Sequence, residues 1–387
     1  MLNVYYENSL IEHEKHKGKI SITSKVPLEN LDHLSTYYSP GVAIPCKRIA
    51  SNKAETYRYT CKGNMVAIVS DGSAVLGLGN VGASAAIPVM EGKAILFKTY
   101  GNIDAFPICI DTQDTAKIID TVVNISPVFG GINLEDISSP RCAEIERTLD
   151  TLLDIPVFHD DQHGTAIVVM AALINALKAT KRSELERNDI KIVICGAGSA
   201  GLAIAAMLSD NGYKNVTLVG RAGVLTNETK LNWYQKEVLE TLMPPIPGHL
   251  EDALKNADVF IGVSTGGILS KDMVSSMKKD SIVFALANPE PEILPELAHE
   301  AGAAIVGTGR SDFKNQINNL LAFPGVFRGA LDARTKITAK MKNAAAYAIA
   351  GMVSEASLVH GYVVPSSIDP KVHQKVAEAV YMASLEH

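Results

Sequence analysis

Two pairs of adjacent acidic residues are the groups in this sequence best suited to bind a metal ion. Glu135-Asp136 ends the stretch PVFGGINLED, Asp160-Asp161 lies in IPVFHDDQHGTA, and each pair follows an apolar run typical of a buried strand. Carboxylates that converge on one edge repel each other unless a cation or a buried base joins them. Ligand sets made only of oxygen favour the hard divalent ions Mg²⁺ and Mn²⁺. The two pairs together therefore predict a divalent-cation site.

The segment between the two pairs is predicted to be the helix that brings them together. In SPRCAEIERTLDTLLD, Ser139 is the predicted N-cap and Pro140 the first helical residue. A strand–helix–strand of this length makes the strands parallel, so both pairs emerge at one edge. Taken singly, each pair has a simpler explanation: Asp161 could cap a following helix, and the first pair could be solvated turn residues. His159 and His163 are predicted to start that helix and to pack, not to bind metal.

Two glycine-rich loops fit G-x-G-x-x-G, the pattern in which the backbone turns tightly against a dinucleotide pyrophosphate. The loop GAGSAG (196–201) follows an apolar strand-like run and opens a helix of small residues that Gly212 ends, before a second strand, NVTLVG. This complete βαβ unit places a helix N-terminus where the phosphates would lie, although a turn without a ligand is the simpler alternative. The predicted cofactor contacts are Gly196, Gly198, Ser199, Ala200 and Gly201.

The other loop, GLGNVG (77–82), has a poorer setting for a nucleotide. The runs MVAIV and AVLGLG are predicted to be short strands, and AILFKTYG is predicted to be the strand that follows the loop. No acidic residue stands at the end of that following strand, where a dinucleotide site usually has one. The helix that would begin after Gly82 meets Pro88 in its second turn, and proline inside a helix costs a hydrogen bond. We therefore predict close packing of a strand on a short helix here, not a second nucleotide site.

The chain after GAGSAG continues as a doubly wound fold would. The runs ADVFIGVST and SIVFALANPEPE predict two further strands, so Asn288 would lie on the cofactor side, at a strand's carboxyl end. Asn288 could equally be a residue that disfavours helix before Pro289. In VTLVGR, Arg221 stands near the position where an NAD enzyme usually has an acid for the ribose hydroxyl. That permits NADP without excluding NAD.

The overall composition limits the class of protein. The chain has 387 residues, 47% apolar and 20% charged, which allows two domains, each with its own core. A net charge of −6 argues against a nucleic acid or an anionic membrane as partner. Five scattered cysteines suit a reducing cytoplasm, and the N-terminus lacks the apolar region of a signal peptide. The longest apolar run, Thr165 to Leu177, is too short for a membrane span and is predicted to be a buried helix.

Taken together, these segments resemble a malic enzyme of the short bacterial or archaeal type. The resemblance spans nearly the whole chain, in order: YYSPGVA (37–43), GLGNVGASAAIPVMEGK (77–93), INLED (132–136), HDDQHGT (159–165), GAGSAG (196–201), ANPEPE (287–292) and NNLLAFPG (318–325). It implies oxidation of L-malate with NAD or NADP and decarboxylation to pyruvate, with Mg²⁺ or Mn²⁺.

The resemblance also implies a role for individual residues. Glu135, Asp136 and Asp161 are the implied metal ligands, Lys93 the general base, Tyr38 the general acid, Asp160 a carboxylate near that lysine, and Asn288 and Asn318 contacts to substrate or cofactor. Without the resemblance, Lys93 would be predicted to be a solvated lysine and Tyr38 a packed aromatic. One position departs from longer family members, which have an arginine for the substrate carboxylate where this chain has Ala74.

The predicted architecture is an α/β fold in three parts. An N-terminal α/β domain (1–158) precedes a Rossmann-type, doubly wound domain (159–335), and C-terminal helices (336–387) pack back on the first domain. A homodimer is expected, with Tyr5-Tyr6 and Tyr37-Tyr38 as candidate interface segments. Two alternatives stay open: an oxaloacetate decarboxylase with little net oxidation, and a non-catalytic dinucleotide-binding regulator. A turnover assay separates them.

Overall fold

A four-stranded parallel sheet forms the centre of the N-terminal half of the protein. The computed structural model describes residues 2–75 and 77–386. The strands lie in the order β2-β1-β3-β4, with bounds β1 Met65–Ser70, β2 Asp104–Cys109, β3 Gly131–Leu134 and β4 Val157–His159. Strands β1 and β3 are almost wholly buried, as the near-continuous apolar runs MVAIV and GINL require of central parallel strands. Because all four strands are parallel, their carboxyl ends share one edge.

The helices of this half are of two kinds, exposed and buried. Their bounds are α1 Leu2–His16, α2 Leu31–Tyr37, α3 Ala43–Ser51, α4 Thr56–Tyr59, α5 Ala83–Gly101, α6 Thr115–Ile125, α7 Arg141–Leu152 and α8 Asp160–Ala179. No side chain between residues 4 and 64 is fully buried. In contrast, α8 buries most of its length, which confirms the buried helix predicted for its apolar run.

Three predictions about the region around the first glycine loop are wrong, and helix α5 accounts for two of them. It is a single helix of 19 residues that continues through Pro88 and includes AILFKTYG, which was predicted to be a strand. The reason is burial at helical spacing: Ala86, Met90, Ala94 and Phe97 face the core, and this packing outweighs the proline. The predicted strand AVLGLG is also wrong in its described residues, which form turns with a single bridge between Val75 and Gly79.

The start of α7 differs by one residue from the prediction. Pro140, not Ser139, occupies the N-cap position, and the helix begins at Arg141. The carbonyls of Ser138 and Pro140 accept the first helical N–H bonds, from Cys142 and Ala143. The backbone therefore satisfies this helix end without the Ser139 hydroxyl.

The second half contains a six-stranded sheet in the order β10-β9-β8-β5-β6-β7. All neighbours are parallel except β7, which pairs antiparallel with β6. This order, with the reversal beside β5, confirms the predicted doubly wound Rossmann-type domain. The strands are β5 Ile192–Cys195, β6 Val216–Gly220, β7 Gly223–Val224, β8 Val259–Gly262, β9 Ser281–Ala285 and β10 Ala303–Thr308.

The helices of the second half surround this sheet and reach back to the first. They are α9 Ser199–Asp210, α10 Trp233–Glu240, α11 Leu250–Leu254, α12 Lys271–Ser275, α13 Pro295–Glu300, α14 Phe323–Ala333, α15 Ala339–Gly351, α16 Glu355–Val359 and α17 Pro370–Leu385. Helix α17, capped by the Asp369 side chain, packs on α14 and α15. Its His373 stacks 4.4 Å from Tyr100 of α5, which confirms that the tail contacts the first half. Among the described residues, no helix combines the length and apolarity that crossing a membrane requires.

Candidate active site

The two acidic pairs meet at the carboxyl edge of the first sheet. Strand β3 ends at Leu134, so Glu135 and Asp136 lie beyond the strand, and Asp136 turns the chain with a φ of 54°. Neighbours in a strand would point to opposite faces, and this turn removes that restriction. The Asp136 backbone N–H donates to Asp161 Oδ2 at 2.8 Å. The pairs are therefore linked directly.

The second pair occupies the first turn of α8. That helix begins at Asp160, with His159 as its N-cap, so Asp161 is not the cap of a later helix. Carboxylates are favourable in a first helical turn because the helix dipole is positive there. A Cβ atom at Gly164 would lie 1.8 Å from Asp160 Oδ1, which only glycine avoids. The predicted packing role of His163 fits its ring contact with Phe158.

Lys93 joins the two pairs from the buried face of α5. Its side chain is only 8% exposed, its Nζ lies 2.9 Å from Glu135 Oε1, and it donates a hydrogen bond to Asp160 Oδ2. The ammonium also lies 4.1 Å from the ring centroid of Phe323. The structure thus excludes a solvated lysine and brings together three residues predicted from separate segments.

The electrostatics of this cluster show an excess of negative charge. Burial raises the pKa of Glu135 and of Asp161, and burial with the nearby Glu135 carboxylate raises that of Asp160 to about 8. Burial alone would lower the pKa of Lys93, but Asp160 and Glu135 raise it above its ordinary value. One lysine charge does not balance three carboxyl groups, two of them buried and that of Asp161 partly exposed, and a divalent cation would complete the balance. The donor set therefore fits Mg²⁺ or Mn²⁺.

The carboxylate groups of this cluster do not surround one common point. Within residues 2–75 and 77–386, no three His, Cys, Asp or Glu side chains form a ready-made metal cluster. Instead Lys93 bridges Glu135 and Asp160, and Asn133 Nδ2 donates to Glu135 Oε2 at 2.8 Å. Asn133 was missed by sequence analysis, although a polar residue inside the apolar run INL is a usable signal.

Arg141 is a second group that sequence analysis missed. Its Nη2 lies 2.9 Å from Asp71 Oδ2, 3.0 Å from Ser73 Oγ and 2.9 Å from Ser138 Oγ. It thereby ties the loop after β1 to the loop after β3, next to the acidic edge. Nothing in its local sequence distinguishes it from an ordinary surface arginine at a helix start.

The two glycine loops differ in geometry. Strand β5 runs directly into Gly196, which has a φ of 118°, and α9 starts at Ser199 inside the motif. A Cβ at Gly201 would lie 1.8 Å from Gly196 O, whereas one at Gly198 would meet open space. The loop is thus packed tightly at its third glycine and open at its second, as expected when a ligand approaches the backbone and the helix N-terminus.

The first loop lacks that arrangement. All three of its glycines have positive φ, 75°, 75° and 79°, and α5 begins only after the third, at Ala83. A Cβ at Gly77 would lie 3.1 Å from Asn288 O, so this loop packs against the segment after β9. Its geometry is that of a contact between the two halves of the protein.

The remaining predicted residues lie at several places in the structure. Asn288 follows β9 at the carboxyl edge of the second sheet, and Asn318 Oδ1 accepts from the Leu320 N–H at 2.9 Å. The adjacent Asn319, which sequence analysis missed, lies close to Gly164 and Asp160. A Cβ atom added at Gly164 would be 3.2 Å from the Asn319 Cβ. Arg221 lies directly after β6, the position that the sequence indicated, and its side chain is exposed. Tyr38 lies at the end of α2 with 69% of its surface exposed, outside the buried cluster.

Family comparisons identify the family to which the chain belongs. The family model described as the N-terminal domain of malic enzyme matches residues 17–150, and the model of its NAD binding domain matches residues 162–384. The chain belongs to the malic enzyme family. The turn that holds Asp160 and Asp161 falls between the two matched ranges.

Individual members of the malic enzyme family are similar over nearly the whole chain. The bifunctional malic/malolactic enzyme of Bacillus subtilis is 52% identical, over 98% of this chain and 93% of its own. The NAD-dependent malic enzyme of Geobacillus stearothermophilus is 53% identical, over 95% of this chain and 77% of its own. The crystal structure of NAD-dependent malic enzyme from Thermotoga maritima has a TM-score of 0.91 at 48% identity, covering 96% of this chain and 98% of that one.

Proposed function

We propose that this chain is a malic enzyme that oxidises L-malate with NAD⁺ or NADP⁺ and releases pyruvate and CO₂. The observation that carries the proposal is the buried Lys93 held between Glu135 and Asp160, because a base in a carboxylate-lined site is what removal of the malate hydroxyl proton requires. The open GAGSAG loop supports dinucleotide binding in the same chain. We propose that the substrate is a small molecule and that the chain works in the cytoplasm, with domain limits near residues 158 and 335.

Glu135, Asp136 and Asp161 are the residues that would hold Mg²⁺ or Mn²⁺. Bound there, such an ion would supply Lewis-acid chemistry, which polarises a carbonyl oxygen and stabilises the negative charge that decarboxylation creates. Lys93 must be uncharged to accept the hydroxyl proton, whereas Glu135 and Asp160 favour its charged form. As a metal ligand, Glu135 would favour that charge less. Lys93 and Asp160 hydrogen-bond directly, so the two groups take up and release protons as a pair.

Nucleotide reduction tests the proposed function directly. We expect the purified chain to reduce a nucleotide with L-malate and Mn²⁺ and to form pyruvate. Arg221, exposed after β6, offers a cation to a ribose 2′-phosphate, so we expect kcat/KM for NADP⁺ to fall in Arg221→Ala while that for NAD⁺ changes little.

Product analysis by NMR distinguishes this function from two related reactions. Lactate in place of pyruvate would contradict the proposal and indicate a malolactic reaction, of the kind named for the Bacillus subtilis relative. Pyruvate from oxaloacetate but not from malate would indicate a decarboxylase. A strong NAD⁺ preference that persists in Arg221→Ala would end the argument for NADP⁺.

Metal dependence is expected to follow the carboxylates. Asp161→Asn and Glu135→Gln each remove a charged ligand from a buried site, so each should raise the Mn²⁺ concentration for half-maximal activity by about tenfold or more. Dinucleotide affinity, measured by calorimetry, should change little, because Gly196–Gly201 lie on a different sheet. Full activity of the wild type in excess EDTA would contradict the proposed site.

We further propose that the chain acts as a homodimer in which the N-terminal segment covers a second copy. Residues 4–64 bury no side chain fully, yet they contain large apolar groups such as Tyr5, 67% exposed, and Leu31, 78% exposed. Apolar surface on this scale marks an interface more often than a free surface. Tyr38 belongs to this segment and lies outside the buried cluster of its own chain. In a dimer, it would therefore reach the active site of the partner.

A further inference from the structure

Glu146 of α7 contacts the same helical turn that holds the second acidic pair. Its side chain is 10% exposed, and its carboxylate accepts from the His159 backbone N–H at 2.7 Å and from Gln162 Nε2 at 3.2 Å. The same carboxylate lies 2.9 Å from His163 Nε2. These partners flank Asp160 and Asp161 on both sides in the sequence, so one buried group fixes the turn between them.

The three groups that hydrogen-bond this carboxylate all serve as donors. Lys342 Nζ of α15 lies 3.2 Å from His163 Nδ1. A protonated Lys342 only donates, so Nδ1 accepts, and the ring hydrogen of a neutral His163 then stands on Nε2 and points to Glu146. Burial alone would raise the pKa of Glu146, but His163 and neighbouring cations lower it to about 2, which keeps it a carboxylate. An acceptor-only side chain is thus required at this position.

We propose that Glu146 is a positioning residue for the metal-binding turn. The inference rests on the proposed metal site and adds to it a group that touches neither metal nor substrate. Groups behind the ligands hold them in orientation, and losing one typically weakens metal affinity about 10- to 100-fold. A glutamine at 146 would turn an N–H toward one of the three donors, and the first turn of α8 would have to rotate away. Asp161 would then no longer present its carboxylate as before.

The test is Mn²⁺ binding by the nucleotide-free protein, followed by the electron paramagnetic resonance signal of free Mn²⁺. Glu146→Gln is expected to raise the Kd for Mn²⁺ about tenfold or more, with an unchanged Kd for the dinucleotide. The matched control is Glu237→Gln in α10. It removes an exposed carboxylate that pairs with Arg147, the residue next to Glu146 in α7. That variant should bind Mn²⁺ like the wild type.

A second variant guards against misfolding of the first. Lys342→Met frees His163 to adopt its other tautomer, so it should also raise the Kd for Mn²⁺, and it decides the question if Glu146→Gln does not fold. A lowered melting temperature with an unchanged Kd, measured well below the transition, would show a purely structural role and overturn the proposal. If the wild type itself binds no Mn²⁺, the metal site fails, and the positioning role fails with it.

Discussion

Replacing Lys93 by alanine is expected to lower kcat/KM for malate oxidation by about 10²- to 10⁴-fold, the usual cost of losing a general base. Lys93 is almost fully buried and contacts both Glu135 and Asp160, so its amine is held at one place among these carboxyl groups. The measurement is nucleotide reduction at saturating Mn²⁺. Lys93→Ala is also expected to lower stability, because it leaves the carboxyl groups of Glu135 and Asp160 without their cation.

Two further variants distinguish the loss of a general base from the loss of a positive charge. Lys93→Arg keeps a positive charge but cannot deprotonate, so it should restore stability and leave activity low. Lys98→Ala removes an exposed lysine from the same helix, paired with Asp104, and should retain nearly full activity. Normal nucleotide reduction by Lys93→Ala, or full recovery in Lys93→Arg, would rule out the role of general base.

The regular parts of this fold could be predicted because local pattern and tertiary packing agree there. The unit β5–α9–β6 combines an apolar strand, glycine turn chemistry and a glycine, Gly212, just after the helix end. Around Pro88 they disagree: the proline and glycines indicate a break, whereas buried residues three and four apart favour one long helix. Packing prevailed there, and packing is the interaction that a local sequence window does not contain.

The features of the candidate site that depend on chain topology were predictable, and those that depend on packing between distant segments were not. The convergence of Glu135-Asp136 with Asp160-Asp161 follows from the parallel topology, which their strand–helix–strand spacing determines. The burial of Lys93 depends on which face of α5 meets the sheet, and the contacts of Arg141 depend on loops that meet only in the folded chain. Such contacts between distant segments have no signature in a single sequence.

Mixing two impaired variants should restore activity if Tyr38 acts across the dimer. Tyr38→Phe lacks the proposed acid that exchanges a proton at the pyruvate methyl group. Lys93→Ala lacks the group that, in the reverse of its proposed role, returns a proton to the C2 oxygen when pyruvate enolises. In a heterodimer of the two, one site would combine Lys93 of one chain with Tyr38 of its partner, and the other site would lack both. Random mixing then gives about a quarter of the wild-type exchange rate in D₂O, from parents that are each nearly inactive.

The outcome depends on where Tyr38 acts, and the structure offers a control for it. If Tyr38 served its own chain, every site of the heterodimer would lack one group, and mixing would restore nothing. Lys93→Ala mixed with Asp161→Asn is such a case by design, because Lys93 and Asp161 belong to one buried cluster of one chain. Restored exchange in the first mixture but not in the second would place Tyr38 in the partner's active site. Failure in both mixtures, with heterodimers shown to form, would return Tyr38 to its own chain and contradict the proposed arrangement.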